Sequence, residues 1–469
     1  MQAYMNMLSG AKLAFNQHQY DGVEFCLSNE LASQFGIRGG IIADEMGLGK
    51  TLTAIGTMVA NPLPNTLIVL PPVLLLQWQK EIFKATGQQA LVYHGAQKKQ
   101  ITEQELAANQ IVLATYHAIQ VKASNLLHLI KWDRVIFDEA HHVRNKNLAH
   151  AGAIALNAKI RWLITGTPIQ NNAIDFYNLC AVMGLERVIY SDKSLTNQII
   201  SSFVLKRSKK MVPSTNLPDV ITRTIYVEWM QEEYRLAKEI HSTLAFSMVD
   251  SCDGLYAKKL NQTAGGVLNR MLRAKQACVM ASLLADDLKS KRLHTNYLTK
   301  TTSKIDAVIA TVEENKDNGA GKLIFCHYRD EIDAIASRLT DVGIRNAVFD
   351  GRTSAVDRNA IINDNIPVII LQIQTGCEGL NLQKNYSEVY FVSPHWNPSV
   401  EAQAIGRCHR MGQQRQVTVF RFEMVGFDEE QGQEPTMSLD MHIMTIQSKK
   451  RGITEVILEN KDSNEANEN

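Results

Sequence analysis

Short apolar runs punctuate the first half of the chain: Ile41–Ala43, Thr66–Leu70, Ile111–Ala114, Val135–Phe137 and Trp162–Ile164. Each is bounded by polar residues or by Gly and Pro, and helix-length amphipathic stretches separate them. Continuous apolar runs of strand length predict strands buried on both faces, the grammar of a parallel sheet covered by helices. The same grammar returns after residue 320 with KLIFC, NAVFD, VIILQI, EVYFVS and QVTVFRF. Between the two, Leu236, Ile240, Leu244 and Met248 recur every four positions, a helical stripe. VLNRMLRAKQACVMASLLADDL continues in that style. The pattern therefore predicts an α/β fold: a first unit over 1–230, a helical connector over 231–300, and a second unit over 301–459. The second unit ends in a helix formed by SLDMHIMTIQSKKRGITEVIL. The polar residues 460–469, NKDSNEANEN, predict a disordered tail.

Length and composition narrow the class. A chain of 469 residues exceeds one ordinary core and predicts roughly 2–4 domains. Apolar residues make up 45% and charged residues 21%, as in soluble globular enzymes. The formal net charge is +1, from 49 basic and 48 acidic side chains, so any basic surface must be local. The seven cysteines (Cys26, Cys180, Cys252, Cys278, Cys326, Cys377 and Cys408) are scattered without metal or redox spacing. That dispersion fits a reducing compartment and small core residues. Cys408-His409 lacks a second ligand pair nearby, so it reads as core and not as a zinc site. The most apolar run, LIVLPPVLLL at 67–76, is too short for a bilayer and is broken by Pro71-Pro72. It predicts a buried strand, a turn and a helix start. With no secretory signal, the expectation is a soluble intracellular protein with no membrane partner.

Chemistry enters at GIIADEMGLGKT, residues 40–51. A helix opening near Lys50 after a buried strand aims backbone N–H groups and a helix dipole at one point. Gly47 and Gly49 let the backbone curl round an anion, Lys50 can reach the β- and γ-phosphates, and the Thr51 hydroxyl can ligate Mg²⁺. The strict phosphate-loop pattern wants Gly where Asp44 stands. WDRVIFDEAH at 132–141 supplies the second half of a nucleotidase: Asp138 to hold Mg²⁺ and Glu139 to orient water. The rival acids Asp44 and Glu45 lie too close to Lys50 to stand across the site from it, and belong to the loop. The two elements, in order, predict an ATP and Mg²⁺ site.

These residues closely resemble the Swi/Snf-type ATPases of helicase superfamily two, which carry Asp at the first glycine position, so that ADEMGLGKT matches letter for letter. The resemblance spans nearly the whole chain. It continues through HQYDGVEF at 18–25, TLIVLPPVLLLQWQKE at 66–81, VLATYHAI at 112–119, DEAHHVRN at 138–145, RWLITGTPIQNN at 161–172 and FVLKRSKK at 203–210. KLIFCHYRD, FDGRTS and QTGCEGLNL match less literally. HWNPSVEAQAIGRCHRMGQQRQV at 395–417 is the most specific. The helix near 438–458 resembles the family's brace.

The resemblance implies two tandem RecA-like P-loop domains with ATP between them. It places Gln19, Asp44, Glu45, Met46, Gly47, Leu48, Gly49, Lys50, Thr51 and Gly379 around ATP, and Thr51 and Asp138 on the metal. Glu139, Lys50, Arg407 and Arg410 become catalytic; arginine stays charged and forks onto phosphate oxygens as charge develops. His141, Thr165, Gly166, Thr167 and Gln403 are implied to couple nucleotide state to DNA. Gln77, Trp78, Thr115, Tyr116, Lys206, Arg207, Thr375 and Asn381 are candidates for phosphate contacts on duplex DNA, since a motor must step along any sequence. Against this, Trp78 and Tyr116 also read as core aromatics, and Lys206–Lys210 as a solvated face.

The expected function is an ATP-dependent translocase on double-stranded DNA that remodels nucleosomes or strips other bound proteins. Two alternatives stand beside it. A strand-separating DNA or RNA helicase would need a wedge between the lobes, and none is evident. A nucleotide-gated scaffold would lack Glu139 or an arginine finger, and both are there. With no recognisable reader domain and no paired CxxC ligands, the chain resembles compact viral or microbial members. It reads as a monomeric motor recruited by a partner, with nucleus, viral replication site and prokaryotic cytoplasm all open.

Overall fold

The computed structural model describes every residue except 122–124, 167, 169–172, 213–216, 250–253, 263–265, 294–301, 377–379, 428–435 and 460–469. The chain divides into two compact units: Met1–Asn216 with the residues from Gly452 onward, and Leu217–Arg451.

Unit one is built on a seven-stranded parallel sheet: β1 (Gly39–Ile42), β2 (Thr66–Leu70), β3 (Leu91–Tyr93), β4 (Ile111–Thr115), β5 (Trp132–Asp138), β6 (Ala158–Ile164) and β7 (Val204–Leu205), in the order β3-β4-β2-β5-β6-β1-β7. Alternate residues of one strand feed opposite cores. Ile41, Leu67, Val69, Val135 and Phe137 face one, and Ile42, Ile68, Leu70, Ile136 and Trp162 face the other. This is why the strands read as unbroken apolar runs: both faces are dry. The Pro-Pro run behaves as its sequence dictates. β2 ends at Leu70, a single tight turn follows over Pro72–Leu74, and a helix runs Leu75–Thr86.

Unit two holds a six-stranded parallel sheet: β8 (Val220–Val227), β9 (Gly321–Cys326), β10 (Asn346–Phe349), β11 (Val368–Gln372), β12 (Tyr386–Phe391) and β13 (Val417–Met424), ordered β10-β11-β9-β12-β13-β8. Two boundaries expected from sequence differ here. β8 pairs with β13 over its whole length, Val220 with Val417 through Val227 with Met424. The chain therefore enters the second unit at Leu217 and not after 230. The supposed connector is also part of that unit: Leu236, Ile240, Ala274, Leu284 and Leu288 share one core with Ile324, Ile370, Tyr390 and Phe422. An amphipathic helix packed on a sheet and a free-standing connector show the same stripe, so periodicity could not separate them.

The stripe also stops early. The helix Gln231–His241 ends before Leu244. The Ser242 and Thr243 hydroxyls take the Glu239 and Ile240 carbonyls, a side-chain alternative to the next helical turn. Met248 is exposed with φ 53°. The terminal helix Leu439–Glu459 sends Leu439 and Ile443 into the second core, and Asp440 pairs with Lys304, both side chains fully buried. Among the described residues, no helix is long and apolar enough to cross a membrane. The expected disordered tail lies outside the described residues.

Candidate active site

β1 runs straight into the glycine loop, and the helix Lys50–Ala60 begins at its end. Gly47 and Gly49 sit at φ 92° and 85°, a region costly for residues with a Cβ. Gly49 is the helix N-cap without a side-chain hydrogen bond, so the first-turn N–H groups point outward as an anion cradle. The Lys50 ammonium folds over its own loop and donates to the Asp44 carbonyl at 2.8 Å.

The residue in the place of the usual glycine now has a physical role. The Asp44 carboxylate is fully buried and takes both arms of Arg207, Nε at 3.0 Å and Nη2 more closely. Arg207 also donates to the His18 carbonyl. Backbone bonds run alongside, from Ala43 N to Leu205 O at 2.7 Å and from Glu45 N to Arg207 O at 2.9 Å. Glu45 meets Lys209 at 3.5 Å. The segment after β7 is thus a scaffold for the phosphate loop. Arg207, expected on DNA, is committed to Asp44.

The loop also rests on the helix Gln17–Leu31. Gln19, expected to read adenine, is buried, and its amide donates to the Leu48 carbonyl at 3.3 Å; His18 Nε2 lies 2.9 Å from the same oxygen. His18 had no sequence signal of its own. Thr165 is buried with its N–H on the Ile42 carbonyl at 3.0 Å. Gly166 faces the loop so closely that a Cβ there would meet Met46 Cε at 2.9 Å and lie 3.5 Å from Lys50 Nζ. Thr167 falls outside the described residues.

Asp138 and Glu139 close β5, two strands from β1 in the sheet. Glu139 adopts the left-handed conformation, φ 51° and ψ 50°, rare for a side-chain-bearing residue and common at functional sites. Its N–H donates to Asp138 Oδ1 at 2.9 Å, and its Oε2 lies 3.3 Å from His141 Nδ1. His141 stacks on His142, ring centroids 4.6 Å apart. Burial pushes the Asp138 carboxyl up to about 7 and the Glu139 charge adds to it, against the opposing pull of Trp78, the Glu139 N–H and Lys50. A buried acid raised by a second acid, with a lysine close enough to lower it, is a site suited to a cation. The hard oxygens of Asp138 and Thr51 suit Mg²⁺, which takes few protein ligands and leaves positions for phosphate and water.

Three further DNA candidates are buried. Trp78 is 1% exposed, Thr115 3% and Tyr116 8%. Trp78 Nε1 donates to Asp138 Oδ2 at 2.7 Å, and the Tyr116 hydroxyl donates to the Asp138 carbonyl at 2.6 Å. Neither aromatic is open to a phosphate backbone; both brace Asp138. Gln77 and Lys206 are half-buried and Asn381 is exposed.

In the second unit, Arg407 and Arg410 follow the helix Pro398–Ile405. Arg410 donates to the Asn381 side chain. Arg407 Nε has no hydrogen-bond partner among the described residues. Gln403 is buried. The Glu401 carboxylate is a hub that sequence did not single out: it accepts from His395 N and Gln447 Nε2, each at 2.8 Å, and from Arg421. Cys408 is buried and His409 bonds the Pro218 carbonyl at 2.9 Å. Gly379 and the side chain of Thr375 lie outside the described residues.

Residues 18–283 match the SNF2-related domain, more than half of the chain, and residues 303–412 match the helicase conserved C-terminal domain. The chain belongs to the SNF2-related family. It is an ATP hydrolase of the helicase type, with the tandem parallel-sheet domains of that family. It is 28% identical over 435 residues to the "Probable global transactivator" of Orgyia pseudotsugata multicapsid polyhedrosis virus, covering 86% of this chain and 85% of that protein. An "Uncharacterized ATP-dependent helicase" of Mycoplasma genitalium is 28% identical over 432 residues, 86% of this chain and 39% of its own length. The "ISWI chromatin-remodeling complex ATPase ISW2" of Saccharomyces cerevisiae is 28% identical over 426 residues, 82% and 37% respectively. This SNF2-related chain thus spans most of its viral relative and about two fifths of the other two.

Proposed function

We propose that this SNF2-related chain couples ATP hydrolysis to movement along double-stranded DNA and displaces or remodels proteins bound there, nucleosomes among them. The observation that carries the ATPase half is the convergence, within unit one, of the glycine loop, Gly166 and the Asp138–Glu139 pair, with Lys50 felt at Asp138. Lys50 and the first-turn N–H groups hold the β- and γ-phosphates. Thr51 and Asp138 would hold Mg²⁺, which would supply positive charge against the phosphate oxygens. Glu139 accepts a hydrogen bond from the attacking water and aims it in line with the γ-phosphorus. Arg407 and Arg410 are assigned to charge stabilisation from the second domain, and Gln403 with Thr165–Thr167 to coupling. Gln77, Lys206, Thr375 and Asn381 are the remaining DNA candidates; Gln77, Thr375 and Asn381 are uncharged, so they would position the backbone through neutral hydrogen bonds.

The test is steady-state ATP hydrolysis with no nucleic acid, duplex DNA, single-stranded DNA and RNA in parallel. Strong stimulation by duplex alone is the expected result. Preferential stimulation by single strands or RNA would replace translocation by strand separation, and no turnover with any would leave a nucleotide switch.

A further inference from the structure

Trp78 occupies a place that its neighbourhood in sequence does not suggest. It lies on the helix that follows β2, Tyr116 lies on the turn that follows β4, and both reach the end of β5. The strand order β4-β2-β5 explains how: the carboxyl ends of these three strands are consecutive in the sheet. Indole N–H is a donor only. At 2.7 Å it fixes one oxygen of Asp138, while the Glu139 N–H fixes the other at 2.9 Å and the Tyr116 hydroxyl fixes the Asp138 carbonyl at 2.6 Å. The side chain is 1% exposed, so no water can take over its donor role without rearrangement.

We infer that Trp78 is a positioning residue for the cation site: its indole N–H holds the Asp138 carboxylate in the one rotation that presents it to Mg²⁺-nucleotide. This rests on the assignment of Asp138 to the metal. Groups that orient a metal ligand from behind commonly change metal affinity by roughly 10–100-fold when removed. The bulk of the ring fills the core between the sheet and the helix, so shape and donor must be separated experimentally.

Two variants do so: Trp78→Phe, and benzothienylalanine placed at position 78, which keeps the bicyclic shape but replaces N–H with sulfur. The readout is the Mg²⁺ concentration that half-saturates binding of a fluorescent ATP analogue, followed by anisotropy, beside binding of the same analogue in EDTA and thermal unfolding. The expected result is a rise in the Mg²⁺ half-saturation point of roughly tenfold or more in the isostere, with metal-free binding and unfolding temperature unchanged. An unchanged half-saturation point in the folded isostere overturns the inference, as does an equal loss of metal-free binding. Should Trp78→Phe fail to fold, the isostere alone decides. If the unaltered protein binds the analogue without any Mg²⁺ dependence, or Asp138→Asn leaves that dependence intact, the metal assignment itself fails, and that outcome is distinct from the first.

Discussion

Glu139 and Arg207 show how differently two charged residues of one site are used. Glu139 is held in a left-handed backbone, its carboxylate beside His141. Glu139→Gln keeps the size and removes the proposed base, while Lys50 and the glycine loop stay in place. Turnover is expected to fall roughly 100-fold or more with nucleotide affinity retained, measured by single-turnover hydrolysis beside equilibrium binding. Arg207 holds a buried carboxylate and touches no reacting atom. Arg207→Met leaves Asp44 buried and unpaired, a loss of about 3–5 kcal/mol, to be read as a lower urea midpoint for the first domain. The assignment of Glu139 came from the sequence, whereas the Asp44 contact of Arg207 did not. DEAH and GLGKT announce phosphate chemistry because the spacing is local. The Asp44–Arg207 pair joins residues far apart in the chain, and Trp78 and Tyr116 read equally as DNA contacts and as core aromatics because nothing in a linear string reveals which way an aromatic faces.

At the scale of elements, strands were legible wherever both faces are buried. They were missed where they are short, as in β3 and β7, or mostly exposed, as in β8, whose residues 221–224 and 226 are exposed. Because β8 completes the second sheet, a fragment beginning at Leu217 is expected to unfold cooperatively, and one beginning at Gln231 to lose that transition in thermal circular dichroism. His241 ties two helices of this domain: its Nδ1–H donates to Ala237 O at 2.7 Å, and Nε2 accepts the Leu439 N–H at 3.0 Å. A second proton would set N–H against N–H. Burial accordingly lowers its pKa to about 4, below the ordinary value. The unfolded chain takes up a proton as pH falls through 6.5 and the folded one does not until about 4, so stability is lost across that window. The loss is about 2 kcal/mol at pH 5. Glu331, which burial raises to about 7, acts in the opposite sense, favouring the folded state at low pH. The readout is therefore the difference in pH slope between the protein and His241→Gln, which is expected to be the flatter of the two on the acid side.

For the whole molecule, balanced charge has a consequence. With a net charge of +1, no long-range field draws the chain to nucleic acid, and attraction must come from a few local contacts. The log of duplex affinity should fall linearly with the log of salt, with a slope near −0.9 for each phosphate neutralised, and should not change between duplexes of unrelated sequence. A titration of ATPase stimulation against duplex at several salt concentrations measures both. A steep slope of the kind expected for many neutralised phosphates would point to basic side chains beyond the candidates named.

The stitching of the nucleotide loop to β7 carries a consequence for how the protein is made. Residues 43–51 leave the ribosome early, yet the partners that fix them, Leu205 and Arg207, follow more than 150 residues later. The loop therefore cannot settle as it is synthesised. The Asp44 carboxylate stays hydrated until the end of the first domain emerges, and a nascent chain stopped before Arg207 should bind no nucleotide. Competence for ATP arrives in one late step, when the final strand closes the sheet.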